Sequence, residues 1–292
     1  MKSWEAAYDC VRLRSTDELI KSIGVTTPFE FDATRDTSEV AVFIEANWEE
    51  LGKEHNTIIS LPARDMNLVR DTLICASKFF HVVHNVRSHV TGGAMTWAVV
   101  DIYHAALLGT RLISALYGVL SYGVQGRTVL IDFRPEFGRE QDRKAFRKEN
   151  KDVEDPVRVL KPQPKQLSQS DAWSLIKRLC NVTSCPPDEQ ASVDAMKQVA
   201  NEKNSAFRNM IFYDSVAWSW LDDFSAVAAN IVIQHGRLEE AGALHSTTVN
   251  ALVEVFGFVK PRLIALCGQC GVLPESVSPI LARNASPVDL LG

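Results

Sequence analysis

"AMTWAVVDIYHAALLGTRLISALYGVLSYGV", residues 94–124, is the stretch on which the fold turns. It is the most apolar segment of the chain and is long enough to suggest a membrane span. Asp101, His104 and Arg111 interrupt it. A charge near the centre of a bilayer costs roughly 2.5–3.5 kcal/mol on insertion scales. The segment therefore reads as a buried helix of a soluble bundle, over about residues 94 to 118, with Gly118 able to end it. On that helix Asp101, His104, Leu108 and Arg111 recur at steps of three and four and share one face. An acid, an imidazole and a guanidinium on an apolar helix each need a partner, a cavity or an interface. Two readings stand: a binding stripe, or a structural one in which these groups reach water at a helix edge or Asp101 pairs with an arginine on another helix.

Working upstream, Leu68, Leu73, Ala76, Phe79, Phe80 and Val83 give a second amphipathic helix from Asp65 to about His89. Thr91-Gly92-Gly93 breaks the chain between the two, which predicts an antiparallel helical hairpin over residues 66–137. Residues 1–65 read as a mixed segment, with a helix in "SEVAVFIEANWEELGKE" and a short strand in "NTIISLP". "GRTVLIDFRPEF" carries a β-branched run and predicts a short strand or an extended edge. Residues 138–170 are charged, then rich in Pro and Gln, and read as a solvated helix followed by a linker. Helices resume over 171–292: "SDAWSLIKRLCN", "PPDEQASVDAMKQVANEKN", a long run from about Asn204 to His235, and one or two more in "HSTTVNALVEVFGFVKPRLIALCGQCG", broken near Pro261. The class is mainly α: a helical bundle with a small mixed N-terminal segment and short β elements.

The 292 residues are 46% apolar and 23% charged, enough for a sizeable core and unlike a disordered chain. A net charge of -5 gives no global attraction to nucleic acid, and the basic residues Arg139, Arg143, Lys144, Arg147 and Lys148 are interleaved with acids as on a solvated face. "MKSWEAAYDCVRLRSTDELIK" has no apolar core and does not read as a secretory signal. Six cysteines without such a signal fit a reducing cytoplasm. Cys180, Cys185, Cys267 and Cys270 have a spacing that can make a four-thiolate zinc site or simply be buried thiols. The thiols are the default, so no metal or cofactor is expected. His81 and His84, three apart near Arg87 and His89, lack a third ligand and read as surface histidines.

The chemistry-bearing stretch is "AFRNMIFYDSVAWSW", residues 206–220. Arg208 presents a planar donor fork that matches phosphate, Asn209 can orient a neighbour or donate to a phosphate oxygen, and Tyr213 lies one helical turn beyond Asn209. Asp214 follows directly. Tyrosine, with a pKa near 10, is a poor general base at neutral pH.

Two features together resemble the HEPN superfamily of helical-bundle proteins. "IYHAALLGTRLISALYGV", residues 102–119, is similar to the family's second helix, and Arg208-Asn209-x-x-x-Tyr213 is similar to its motif of an arginine, a polar residue and, four to six residues on, a histidine. The resemblance spans about residues 66–235. It implies a HEPN-like bundle and a metal-independent ribonuclease of the kind found in toxin–antitoxin and antiphage defence systems, acting as a homo-oligomer with no membrane. Arg208 would contact the scissile phosphate, with Asn209 and Tyr213 positioning it and His104 or His245 supplying an imidazole. Asp101, Arg111 and Asp214 are the further binding candidates. Tyr213 stands where the motif has histidine, so the same resemblance also implies a second reading. In it the chain is a non-catalytic scaffold of a defence complex that binds a protein partner, RNA or a nucleotide.

Overall fold

The structure is a computed structural model, and it describes residues 15–25, 30–32, 36–51, 56–92, 94–137, 140–160, 169–182, 187–201 and 243–272. Most of these residues are helical, and one four-stranded antiparallel sheet completes the fold.

The apolar segment folds as the sequence predicts. Helix α4 runs Arg64–Thr91, turns at Gly92, and α5 returns as Met95–Leu116. Their 28 and 22 residues make rods of about 42 and 33 Å at 1.5 Å per residue. The turn closes with Gly92 N–H donating to Ser88 O and Ala94 N–H donating to His89 O, at 3.0 and 2.9 Å. The long helix α9, Ala243–Gln269, packs across α5. Phe79 and Phe80 of α4 meet Phe256 of α9, with ring centroids 6.3 and 5.8 Å away. Gly109 of α5 faces Val255 so closely that a Cβ there would lie 2.1 Å from Val255 Cγ1. Helices α7, Gln169–Val182, and α8, Pro187–Asn201, pack on each other, on α5 and on α9 respectively. Among the described residues no helix is long and apolar enough to cross a membrane.

Pro261 does not break the last helix, contrary to the sequence expectation: α9 runs through it. A proline inside a helix loses one hydrogen bond and crowds the carbonyl four residues back. That carbonyl belongs to Gly257, which like Pro261 lies on the exposed face, with open space around its Cα hydrogen. Water can therefore satisfy the freed group, and the apolar face beneath keeps the helix in one piece.

The sheet has the order β1-β4-β3-β2. Strand β1, Asn56–Ser60, and β3, Arg127–Asp132, fall where the sequence suggests strands. Two others do not. Strand β2, Val119–Val124, occupies the end of the long apolar run. Gly118 adopts φ +76 and ends the helical stretch, and Gln125-Gly126 (φ +47 and +71) forms the two-residue turn that pairs β2 with β3. Strand β4, Pro156–Leu160, lies in the stretch read as a linker. It is an inner strand, flanked by β1 and β3, with Val157, Val159 and Leu160 buried. The charged helix before it, α6, Glu140–Glu149, is solvated as expected.

The N-terminal segment is tied to α9 through its first described helix. Helix α1, Thr16–Ser22, opens on a capping box between Ser15 and Glu18. Its Thr16 Oγ1 accepts from Arg262 Nε of α9 at 2.9 Å, and the Arg262 guanidinium also stacks 3.7 Å over the Phe258 ring. Helix α2, Glu39–Ala46, is capped by Ser38, and α3, Trp48–Leu51, follows it.

Candidate functional site

Two polar centres are built into this frame. The first lies where β3 ends against the start of α4. Arg134 Nη2 donates to Asp65 Oδ2 at 2.7 Å and to Ser22 O at 2.9 Å, and its Nη1 reaches Glu136 Oε1 at 3.3 Å. Arg64 Nη1 meets the same Glu136 oxygen at 3.2 Å, and its Nε meets Asp65 Oδ1 at 3.2 Å. Two guanidinium forks thus alternate with two carboxylates, so little of either charge is left uncompensated. Arg64 and Glu136 line a cleft of about 460 Å³ together with Phe146 and Arg147 of α6 and Asn150 just past its end. Sequence reading did not single out this group. The signal was the alternation Asp132, Arg134, Glu136 at the end of a strand, but the partners at Arg64 and Asp65 are some 70 residues away.

The second centre is the α4–α5 hairpin. Asp71 of α4 is buried and accepts hydrogen bonds from Tyr122 Oη of β2 at 2.6 Å and Ser38 Oγ at 2.7 Å, which fastens sheet and N-terminal segment to the hairpin. Burial pushes the Asp71 carboxyl above its ordinary 3.8, against the opposing pull of those two donors. Burial and the nearby Asp71 likewise raise the Tyr122 hydroxyl, and burial carries the Cys75 thiol to about 11. For Asp71 the sign is this: below 3.8 the carboxyl is neutral in both folded and unfolded chains. As pH climbs through the raised folded value the unfolded chain has already released its proton, and stability is lost. Asp71→Asn keeps an acceptor for both donors and removes the titration. Wild type is therefore expected to lose stability relative to Asp71→Asn as pH rises from the ordinary 3.8 through the raised folded value, read by urea melts at each pH. A gap that does not change across that range would refute the assignment.

Toward the hairpin tip, His89 Nδ1 of α4 lies 3.0 Å from Asp101 Oδ2 of α5. It is an ion-pair distance rather than an aligned hydrogen bond. Both atoms are shielded from water, and neither has a hydrogen-bond partner among the described residues. Asp101 thus meets an imidazole, where the sequence suggested an arginine. His104 is half-buried one turn along α5, with its ring centroid 5.8 Å from that of Tyr103. Arg111 is exposed, ten residues and about 15 Å of helix beyond Asp101. The stripe therefore shares a face but does not converge on one small ligand. Arg208, Asn209, Tyr213 and Asp214 lie outside the described residues, as does Cys185. His245 falls within α9, but its side chain is not among those described. Cys180, Cys267 and Cys270 are buried thiols, and burial raises Cys267 to about 12 and Cys270 to about 11. No cluster of three or more metal-ligating side chains is found among the described residues.

The chain matches no family model, no curated protein and no solved structure.

Proposed function

We propose that the protein is a HEPN-like helical protein that acts on RNA, cleaving it by metal-independent transesterification with Arg208 at the scissile phosphate. Asn209, Tyr213 and Asp214 position that phosphate, and two copies of the chain bring their motifs together, in the manner of defence and toxin ribonucleases. The observation that carries the reading is the place of α5. The helix with the HEPN-like sequence is the central strut of the helical layer, packed on α4, α7, α9 and β2. It also presents Asp101, His104 and Arg111 along one face. Arginine suits the phosphate role because its fork stays charged and pre-organised as negative charge grows on the phosphorane.

The test is incubation of the purified chain with total RNA in the presence of a chelator. The expected products end in 2′,3′-cyclic phosphates, and Arg208→Ala lowers the rate by about 100-fold or more. Cleavage that survives Arg208→Ala refutes the reading.

The Asp101–His89 contact favours a second reading, the non-catalytic scaffold, because it takes up the acid of the stripe in a helix-to-helix tie. An RNA-inactive wild type that captures a protein partner from its native host would support it, and a strict monomer without a partner would count against it.

A further inference from the structure

In the cleft beside Arg64 and Glu136, cations outnumber acids. Arg64, Arg147 and Lys151 line it, and Glu136 is the one acid in the lining. Glu136 is already shared between Arg64 and Arg134, at 3.2 and 3.3 Å. Arg64 has a further carboxylate, Asp155, 3.8 Å from its Nη2. Arg147 and Lys151 form no ion pair among the described residues. Both are exposed, so two positive charges stand uncompensated at the cleft.

The backbone that carries them is pinned. Asn150 N–H and Nδ2 both donate to Phe146 O, at 2.9 and 3.0 Å, and Val153 N–H donates to Asn150 O at 3.2 Å. Arg64 Nη1 donates to Pro156 O at 3.2 Å. The turn after α6 is therefore fixed at both ends, with Arg147 before it and Lys151 within it. The charge count decides the kind of anion. A phosphate monoester carries about −1.5 to −2 at neutral pH and takes two cations, whereas a carboxylate carries a single charge. An arginine fork can hold two phosphate oxygens while the lysine supplies a point charge. The volume of about 460 Å³ falls within the roughly 300–1,000 Å³ of small-molecule sites, so there is room for more than the anionic head. Phe146, Val153 and Pro156, all half-buried, give the rest of such a molecule an apolar wall with a ring to stack on.

We propose that this cleft binds a small organic phosphate. The phosphate lies between Arg147 and Lys151, and a flat apolar body rests against Phe146, Val153 and Pro156. The site is independent of the RNA reading: it uses none of the residues assigned to that reaction and makes or breaks no bond.

The experiment titrates the full chain with naphthyl phosphate, naphthoate and inorganic phosphate by isothermal titration calorimetry at neutral pH. Naphthyl phosphate is expected to bind about tenfold or more tightly than either of the others. Arg147→Ala and Lys151→Ala each weaken it by about tenfold or more. Lys148→Ala removes an exposed cation of the same helix outside the lining and leaves the affinity within about twofold. Phe146→Leu narrows the gap between naphthyl phosphate and inorganic phosphate. Circular dichroism of each variant checks the fold. No binding of naphthyl phosphate by the wild type overturns the site, and so does binding that Arg147→Ala and Lys151→Ala both leave within about twofold. Naphthoate binding as tightly as naphthyl phosphate overturns the choice of a phosphate. Inorganic phosphate binding as tightly overturns the apolar wall. None of these outcomes touches the RNA reading, and RNA cleavage that survives Arg208→Ala leaves this site standing.

Discussion

Arg134→Met is expected to destabilise the protein by about 3–5 kcal/mol, the usual cost of removing one member of a buried ion network. The guanidinium is 6% exposed and touches three separate pieces of chain: Ser22 O at the end of α1, Asp65 at the start of α4, and Glu136 two residues on. Methionine fills a similar volume but leaves Asp65 and Glu136 to share Arg64 alone. A second consequence follows from the fork. Arg134→Lys keeps the charge but cannot hold Asp65, Glu136 and Ser22 O together, so it should fall between wild type and Arg134→Met. Because the network is buried, raising salt should recover little of the loss. Urea denaturation at low and high salt reads all three outcomes. A change of less than about 1 kcal/mol in Arg134→Met would show that the network is only a solvated surface pair.

Gly109→Ala tests the closest helix contact. Alanine in place of glycine normally favours a helix by about 1 kcal/mol. Here the new methyl would stand 2.1 Å from Val255 Cγ1 and 3.2 Å from Phe79 Cε2, both in the core. Val255 is β-branched and has few rotamers to escape into. The expected net result is a loss of about 1–3 kcal/mol, the range for overpacked cores. Val255→Ala in the same chain should relieve it, with a coupling energy of about 0.5–3 kcal/mol in the double-mutant cycle. Additive effects would mean that α5 and α9 can slide apart at little cost.

The helical frame was legible because burial writes itself into helices at short range. Phe79, Phe80 and Val83 of α4 show their period within a few residues, and Gly118 marks the end of α5 by its own conformational freedom. Strand β2 was hidden because "VLSYGV" continues an apolar run without a change of composition, and its turn, Gln125-Gly126, is not one of the stronger hairpin signals. Strand β4 was hidden for the opposite reason. Five residues with only three buried side chains sit inside a charged, proline-rich stretch, and their strand character comes from pairing with β1, about 100 residues earlier. Pro261 was over-read as a break because a local rule cannot know that Gly257 and the exposed face leave room for it. At the candidate site, Asp101 and His104 were visible as a stripe, but the His89 contact depends on the register of two helices joined by a tight turn.

The bond from Arg262 to Thr16 spans 246 residues of chain. A ribosome adding about 5–20 residues per second needs roughly ten seconds to a minute to make the second partner after the first. During that interval α1 has no α9 to rest on, and Leu19 and Ile20, both buried in the finished fold, have only earlier-made surfaces to cover them. The hairpin of α4 and α5, whose contacts are local, can form long before. Synthesis therefore assembles the described elements from the middle outward, and α1, made before the hairpin, is among the last of them to settle.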